Sequence, residues 1–341
     1  MPEMRHDPVQ RRWVVISPER GARPTDYKPC RDEMEGDDPF AEGNEAQTPP
    51  EIMAVRPSGT RKNGPGWKVR VVPNKYPAFR VEGDLDRRAD GLYDVMNGIG
   101  AHETVIEAPE RDMDLALLEP DHAFEVGRMY RERMIDLMRD KRLRYVLVFR
   151  NRGRMAGASL SHPHSQIIAT SVTPLSVAIE LDSARRHYDD KERCLFCDLL
   201  AQEKAARKRI VYESDRFVAY APFASRVPFE ICLMPKAHQH DFREVSDQDL
   251  HAFMAALQEV LQRIKVALDD PPYNFFLHTA PNSESLTPRR SYWTTLRHDW
   301  HWHVEILPRL GNMAGFEFGT GFFINSTPPE QAAEILKSVK L

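Results

Sequence analysis

The chain has 341 residues, 41% hydrophobic and 29% charged, a soluble globular balance with core enough for one very large domain or two ordinary ones. Its 47 Lys and Arg against 51 Asp and Glu leave a formal net charge of −4 with no basic block, which excludes a nucleic-acid footprint. No apolar run of about 18 residues occurs and Met1 to Arg12 is polar, so neither a membrane span nor a secretory leader is expected. The four cysteines (Cys30, Cys194, Cys197, Cys232) make no disulfide framework, and the expected setting is a reducing cytoplasm.

Along the chain, the stretch to about residue 66 is rich in Pro, Asp and Glu and reads as a long surface loop with one strand, Gln10 to Ser17. Lys68 to Val72 and Arg144 to Phe149 are β-branched and aromatic, hence buried strands. Between them, Phe124, Met129, Met134 and Leu137 fall at helical spacing from about Pro120 to Arg142. A helix is predicted from about Pro174 to His187. Strands follow at Ile210 to Tyr212, Phe217 to Ala221 and Glu230 to Met234. Ser246 then opens a long helix to about Leu268 with a Ser-x-x-Asp start that resembles a capping box. Strands at Asn274 to Thr279 and His301 to Leu307 precede a closing helix, Pro328 to Val339.

The two halves repeat one order of parts: strands, one long helix, a strand, and a strand carrying His-x-His. The motifs are His162-Pro163-His164 and His301-Trp302-His303. A duplicated α+β fold with mainly antiparallel sheets and flanking helices is the economical expectation. On a strand His162, His164 and Gln166 share one face, and Pro163 between them implies an edge strand. An imidazole attacks phosphorus without prior deprotonation near neutral pH, and its phosphoryl adduct passes the group on. Gln166 offers an N–H to a phosphate oxygen without adding charge. Cys194-Leu195-Phe196-Cys197 reads as half of a zinc site, with His238 and His301 as candidates for the other half; a redox pair is the weaker alternative. No P-loop and no Rossmann fingerprint occurs.

At His162-Pro163-His164-Ser165-Gln166 the sequence resembles the galactose-1-phosphate uridylyltransferase branch of the histidine-triad superfamily, whose motif is H-P-H-x-Q. The likeness extends over Ile16-Ser17-Pro18-Glu19-Arg20, Pro73-Asn74-Lys75-Tyr76-Pro77, Gly100-Ala101-His102-Glu103, Asn151-Arg152-Gly153 and the run from His301 to Pro329. It implies two tandem histidine-triad-like domains, 1–172 with the nucleophile and 173–341 with a zinc site. It implies catalytic roles for His164 and Gln166, and substrate-binding roles for Arg20, Arg23, Asn74, Asn151, Gly153, Ser159 and Gln166. The implied reaction is ping-pong: His164 takes the nucleotidyl group from UDP-glucose and yields it to galactose 1-phosphate. The alternative within the resemblance is an ADP-glucose phosphorylase-like adenylyltransferase with inorganic phosphate as acceptor, because Gly319-Thr320-Gly321 resembles a version found both in that branch and in uridylyltransferase-like sequences. A zinc-stabilised binding protein is the reading outside catalysis, and joint retention of His164, Gln166, Arg20 and Arg23 speaks against it.

The sequence departs from the family where a C-P-F-C pair is usual, reading Asp38-Pro39-Phe40-Ala41. Ala41 ligates nothing, so the first-domain metal site, otherwise completed by His102 and His162, is expected to be empty or replaced by hydrogen bonds. The resemblance implies one zinc per chain on Cys194, Cys197, His238 and His301. Glu180, His278, His301 and His303 match a second ligand set, held in reserve. It also implies a homodimer, with nucleotide sugar and sugar 1-phosphate as the small-molecule partners, and no nucleic acid or membrane.

Overall fold

In the first half of the computed structural model the strands are β1 (Glu3–Asp7), β2 (Arg12–Ile16), β3 (Met53–Val55), β4 (Val69–Pro73), β5 (Arg88–Asp90), β6 (Tyr93–Val95) and β7 (Gly100–Ile106). Helix α1 (Pro120–Leu137), β8 (Tyr145–Arg152) and β9 (His164–Thr170) follow. The second half runs α2 (Leu175–Lys191), α3 (Leu195–Ala206), β10 (Ile210–Glu213), β11 (Phe217–Tyr220), β12 (Ile231–Pro235), α4 (Asp247–Ala267), β13 (Tyr273–His278) and α5 (Leu296–Asp299). It ends with β14 (His303–Pro308), α6 (Gly315–Thr320), β15 (Phe323–Asn325) and α7 (Pro329–Ser338). The structure describes residues 1–20, 37–286 and 291–341; Arg23 and Cys30 lie outside them.

Ten strands form one sheet in the order β10-β11-β12-β14-β13-β8-β9-β7-β4-β3, antiparallel throughout. Each half supplies five strands in the same internal order, and the halves join edge to edge where β8 meets β13, Arg152 opposite Tyr273 and Val148 opposite Leu277. Closing the seam leaves neither half a bare inner edge there. Helices α1 and α4, each preceding the penultimate strand of its half, pack against one another. Gly127 permits the crossing, because a Cβ there would stand 2.9 Å from Met254 Sδ. Under α4 the rings of Phe242, Phe253 and Trp302 meet at centroid separations of 5.1 to 5.5 Å. Such aromatic pairs add about 0.5–1.5 kcal/mol each beyond their buried area. The duplicated, mainly antiparallel α+β architecture is the one expected.

The predicted start of α4 holds: Ser246 Oγ accepts from the Asp249 N–H at 3.1 Å, capping the helix. Several expectations do not hold. Strand β9 lies between β8 and β7, inside the sheet, and not at an edge. Pro163 precedes the strand's first residue, so its missing N–H costs the ladder nothing. His162 is likewise outside the strand, although it lines the same cavity as His164. The N-terminal stretch holds a β1–β2 hairpin, to which β15 adds in parallel, and also β3. Strand β7 and helix α3 were not predicted.

Candidate active site

His164 opens β9 opposite Ile106 of β7 and is buried. Its Nδ1 lies 2.8 Å from the carbonyl oxygen of His162. A carbonyl only accepts, so Nδ1 carries the proton and Nε2 keeps the lone pair. Burial is the main cause that pushes the His164 pKa below the ordinary imidazole value, so the ring is neutral near pH 7. Phe40 stands edge-on to it at 5.3 Å. Tautomer, charge state and orientation all favour attack through Nε2.

The ring opens on a cavity of about 650 Å³ whose walls include Arg111, Arg150, Asn151, Arg152, Gly153 and Lys265. Lys265 comes from α4, so both halves line it. Arg152 and Lys265 each lie 3.3 Å from Asp114, and they reach Asp270 at 2.7 and 2.9 Å. Cations held in place by carboxylates in this way can share an incoming phosphate without a large search of side-chain conformations. Gly153 is required by its backbone: φ is +80°, and a Cβ would stand 2.9 Å from the Pro272 ring. Asn274 of β13 donates to Asn151 Oδ1 and to the Ala156 carbonyl, both at 2.8 Å, and fixes the loop after β8.

Of the residues singled out in the sequence, His162, His164, Asn151 and Gly153 share this cavity. Gln166 and Asn74 meet at His102, whose Nε2 lies 2.7 Å from Gln166 Oε1 and 3.3 Å from Asn74 Nδ2. His102 Nδ1 accepts from the Ala78 N–H, so Nε2 donates and the Gln166 amide N–H₂ is turned away toward other acceptors. Ser159 is exposed in the loop before β9, and Arg20 sits on an exposed turn after β2, outside the cavity. His162 Nδ1 lies 2.9 Å from Asp38 Oδ2 and its Nε2 2.8 Å from the Ala108 carbonyl oxygen. His102 therefore does not accompany His162. His102 belongs to β7, where its ring turns to Gln166, and His162 is held by hydrogen bonds to Asp38 and the Ala108 carbonyl.

In the second half Cys194, Cys197, His238 and His301 offer ligand atoms all within 4.8 Å of one another. Cys197 Sγ lies 3.4 Å from His238 Nδ1 and 3.5 Å from His301 Nδ1. A hydrogen bond from the Cys194 thiol, with those from the two imidazoles, pulls the Cys197 thiol down to about 3, in the thiolate form that metals bind. A second contact orients the set: His238 Nε2 donates to the Arg297 carbonyl at 3.0 Å. Two sulfurs and two imidazoles in this arrangement fit a tetrahedral metal ion. Glu180, His278 and His303 form a separate buried group, with His278 Nδ1 3.0 Å from Glu180 Oε2. His301 sides with the cysteines.

Sequence reasoning passed over Lys265, Arg111, Asn274 and the buried pair Glu107–Arg150. Asn274 and Arg150 carried a faint signal, each being polar beside the apolar run of its strand.

A neutral imidazole with a fixed tautomer, facing cations in a duplicated His-x-His fold, is the layout of a nucleotidyltransferase. The model of the galactose-1-phosphate uridyl transferase N-terminal domain matches residues 1–174, and a domain of unknown function (DUF4921) matches 116–340. The ADP-glucose phosphorylase of Arabidopsis thaliana is 34% identical over all of this chain and 93% of its own length. The galactose-1-phosphate uridylyltransferase of Thermotoga maritima is 28% identical over all of this chain and 99% of its own. A solved Arabidopsis thaliana ADP-glucose phosphorylase with bound ADP-glucose superposes with a TM-score of 0.82 at 32% identity, over all of this chain and 99% of that one. The chain belongs to the galactose-1-phosphate uridylyltransferase family.

Proposed function

We propose that the protein is a hexose-1-phosphate uridylyltransferase that works through a covalent nucleotidyl-His164. The observation that carries this is the His164 ring, with Nδ1 bound to the His162 carbonyl and Nε2 left as nucleophile beside a cation-lined cavity. Nε2 of His164 forms a bond to the α-phosphorus of UDP-glucose. The bond from that phosphorus to the oxygen of glucose 1-phosphate breaks, and the leaving oxygen keeps the electron pair. A phosphate oxygen of galactose 1-phosphate then attacks the adduct and restores neutral His164. The proton on Nδ1 stays in place throughout. Gln166, with its oxygen held by His102, donates to the phosphoryl group; Asn151 and Gly153 shape its pocket, and Asn74 and Ser159 flank it.

A second reading, ADP-glucose phosphorolysis, is favoured by the 34% identity to the Arabidopsis ADP-glucose phosphorylase. Four mixtures separate the two: UDP-glucose or ADP-glucose as donor, each with galactose 1-phosphate or inorganic phosphate. UDP-galactose formation supports the first reading, and ADP formation from ADP-glucose and phosphate overturns it in favour of the second.

The metal at Cys194, Cys197, His238 and His301 is zinc in this reading, because an S₂N₂ tetrahedral donor set favours it. It ties the start of α3 to the segments before α4 and β14 and takes no part in the reaction. The protein works in the cytoplasm as a homodimer, a state supported by the exposed Phe316 and Phe318 of α6 and by Arg20 lying outside the His164 cavity. Sedimentation at micromolar concentration is expected to give twice the chain mass, and a monomer contradicts it.

A further inference from the structure

The duplication makes each half a control for the other. Register equates Ser165 with Val304, each being the residue after the second His of its motif. Ser165 stands opposite Val105, and Val304 stands between Leu233 and Leu277. By the same count Glu107, two residues after Val105, corresponds to Pro235, two after Leu233. In the second half Val304, Leu233 and Leu277 are buried and apolar. In the first half the matching place holds a buried polar network. Arg150 Nε lies 3.1 Å from both carboxylate oxygens of Glu107, and Arg150 Nη2 3.0 Å from Oε2. Ser165 Oγ donates to Glu107, and the Tyr130 hydroxyl reaches Ser165 Oγ at 2.6 Å. Arg150 Nη1 donates to the hydroxyl of Tyr273, which belongs to β13 of the other half.

Burying an ion pair costs desolvation that a hydrophobic replacement avoids, so folding alone does not account for it. Its position does. The Glu107 N–H donates to the Pro163 carbonyl at 3.1 Å, between the two motif histidines. His162 Nε2 is bound to the next carbonyl, that of Ala108. Ser165, pulled to the helix side by Glu107 and Tyr130, turns its neighbour His164 to the other face. The His162 carbonyl that fixes the His164 tautomer is therefore held by a segment that the Glu107–Arg150 pair anchors.

We propose that Glu107, Arg150, Ser165, Tyr130 and Tyr273 form a positioning network that holds His164 in its Nδ1–H tautomer, with Nε2 aimed at phosphorus. Tyr273 makes the second half a structural support of the first half's nucleophile. The inference rests on the nucleotidyl-His164 reading for its kinetic consequence but not for its structural one.

The test is the double variant Glu107→Gln/Arg150→Met, which removes both charges and keeps the volume. Its adduct formation is followed in single turnover with whichever of UDP-glucose and ADP-glucose labels the wild type. The maximal rate is expected to fall about 30- to 100-fold, as for a nucleophile displaced by about an ångström, and because Arg150 also lines the cavity half-saturation is expected to rise beside it. Tyr273→Phe, which keeps the ring, is expected to slow the same step about fivefold and carries the test if the double variant does not fold. An unchanged maximal rate in either folded variant, or a loss confined to half-saturation, overturns the proposal. If the wild type forms no adduct, the functional reading fails, and the imidazole ¹⁵N spectrum of His164 still decides this one. A single Nδ1–H tautomer in the wild type that becomes mixed in the double variant supports the network, and identical spectra overturn it.

Discussion

Replacing His164 by Ala is expected to abolish turnover while the protein stays folded. Among the described residues that line the cavity, His164 keeps a ring nitrogen with a free lone pair and a fixed direction, whereas both nitrogens of His162 are engaged, by Asp38 and the Ala108 carbonyl, and Arg111, Arg150, Arg152 and Lys265 are cations. Without it the covalent route closes, and a loss on the order of 10⁴-fold or more is expected in kcat/KM. The structural cost is modest: one hydrogen bond to the His162 carbonyl and an edge contact with Phe40 disappear. Together these amount to about 1–2 kcal/mol, a small shift in the midpoint for a chain of this length. Steady-state rates beside thermal unfolding check both halves of the expectation. Activity within tenfold of wild type in His164→Ala contradicts it.

The second large effect is expected at the cysteine–histidine cluster. Cys197 is the hub of that cluster, within hydrogen-bonding distance of His238 and His301 and hydrogen-bonded by Cys194. Cys197→Ser removes its soft ligand and is expected to lose the metal, which elemental analysis reads directly, falling from one ion per chain to none. An ion present at a thousand times its dissociation constant stabilises the folded state by about 4 kcal/mol. At about 2 °C per kcal/mol, the midpoint is then expected to drop by about 8 °C. Chelation of the wild-type protein is expected to give the same drop, and His164 chemistry in the metal-free protein, assayed well below that midpoint, is expected to persist. A variant that keeps its metal and its midpoint contradicts the assignment.

How much was readable beforehand depended on whether a feature was local in the chain. The repeated order of parts, the two His-x-His motifs and the capped start of α4 are written in adjacent residues, and they came through. Strand β7 did not, because Gly-Ala-His-Glu-Thr-Val-Ile lacks a clean alternation. Its Glu103 is buried only because Arg133 of α1 meets both carboxylate oxygens, at 2.7 and 2.8 Å. Helix α3 was hidden by a start at Cys194, which makes no side-chain cap hydrogen bond, where Ser or Asp would have announced it. The partner of His162 is Asp38, 124 residues away, and that of Glu107 is Arg150, 43 residues away. No periodicity links such positions; the antiparallel order of β7, β9 and β8 brings Glu107 to Arg150, and the segment that carries Asp38 reaches His162 from outside the sheet. The cysteine set was legible as half a site from its spacing. That His301 joins it, leaving Glu180, His278 and His303 as their own group, follows only from which way each ring turns.

The most direct test of a nucleotidyl-His164 is the intact mass of the wild-type protein after brief incubation with UDP-glucose, and separately with ADP-glucose, with no acceptor present. The expected result is one added nucleoside monophosphate per chain, mapped by peptide analysis to His164 and missing from His164→Ala. An unmodified wild-type mass with both donors, or an adduct that persists in His164→Ala, contradicts it.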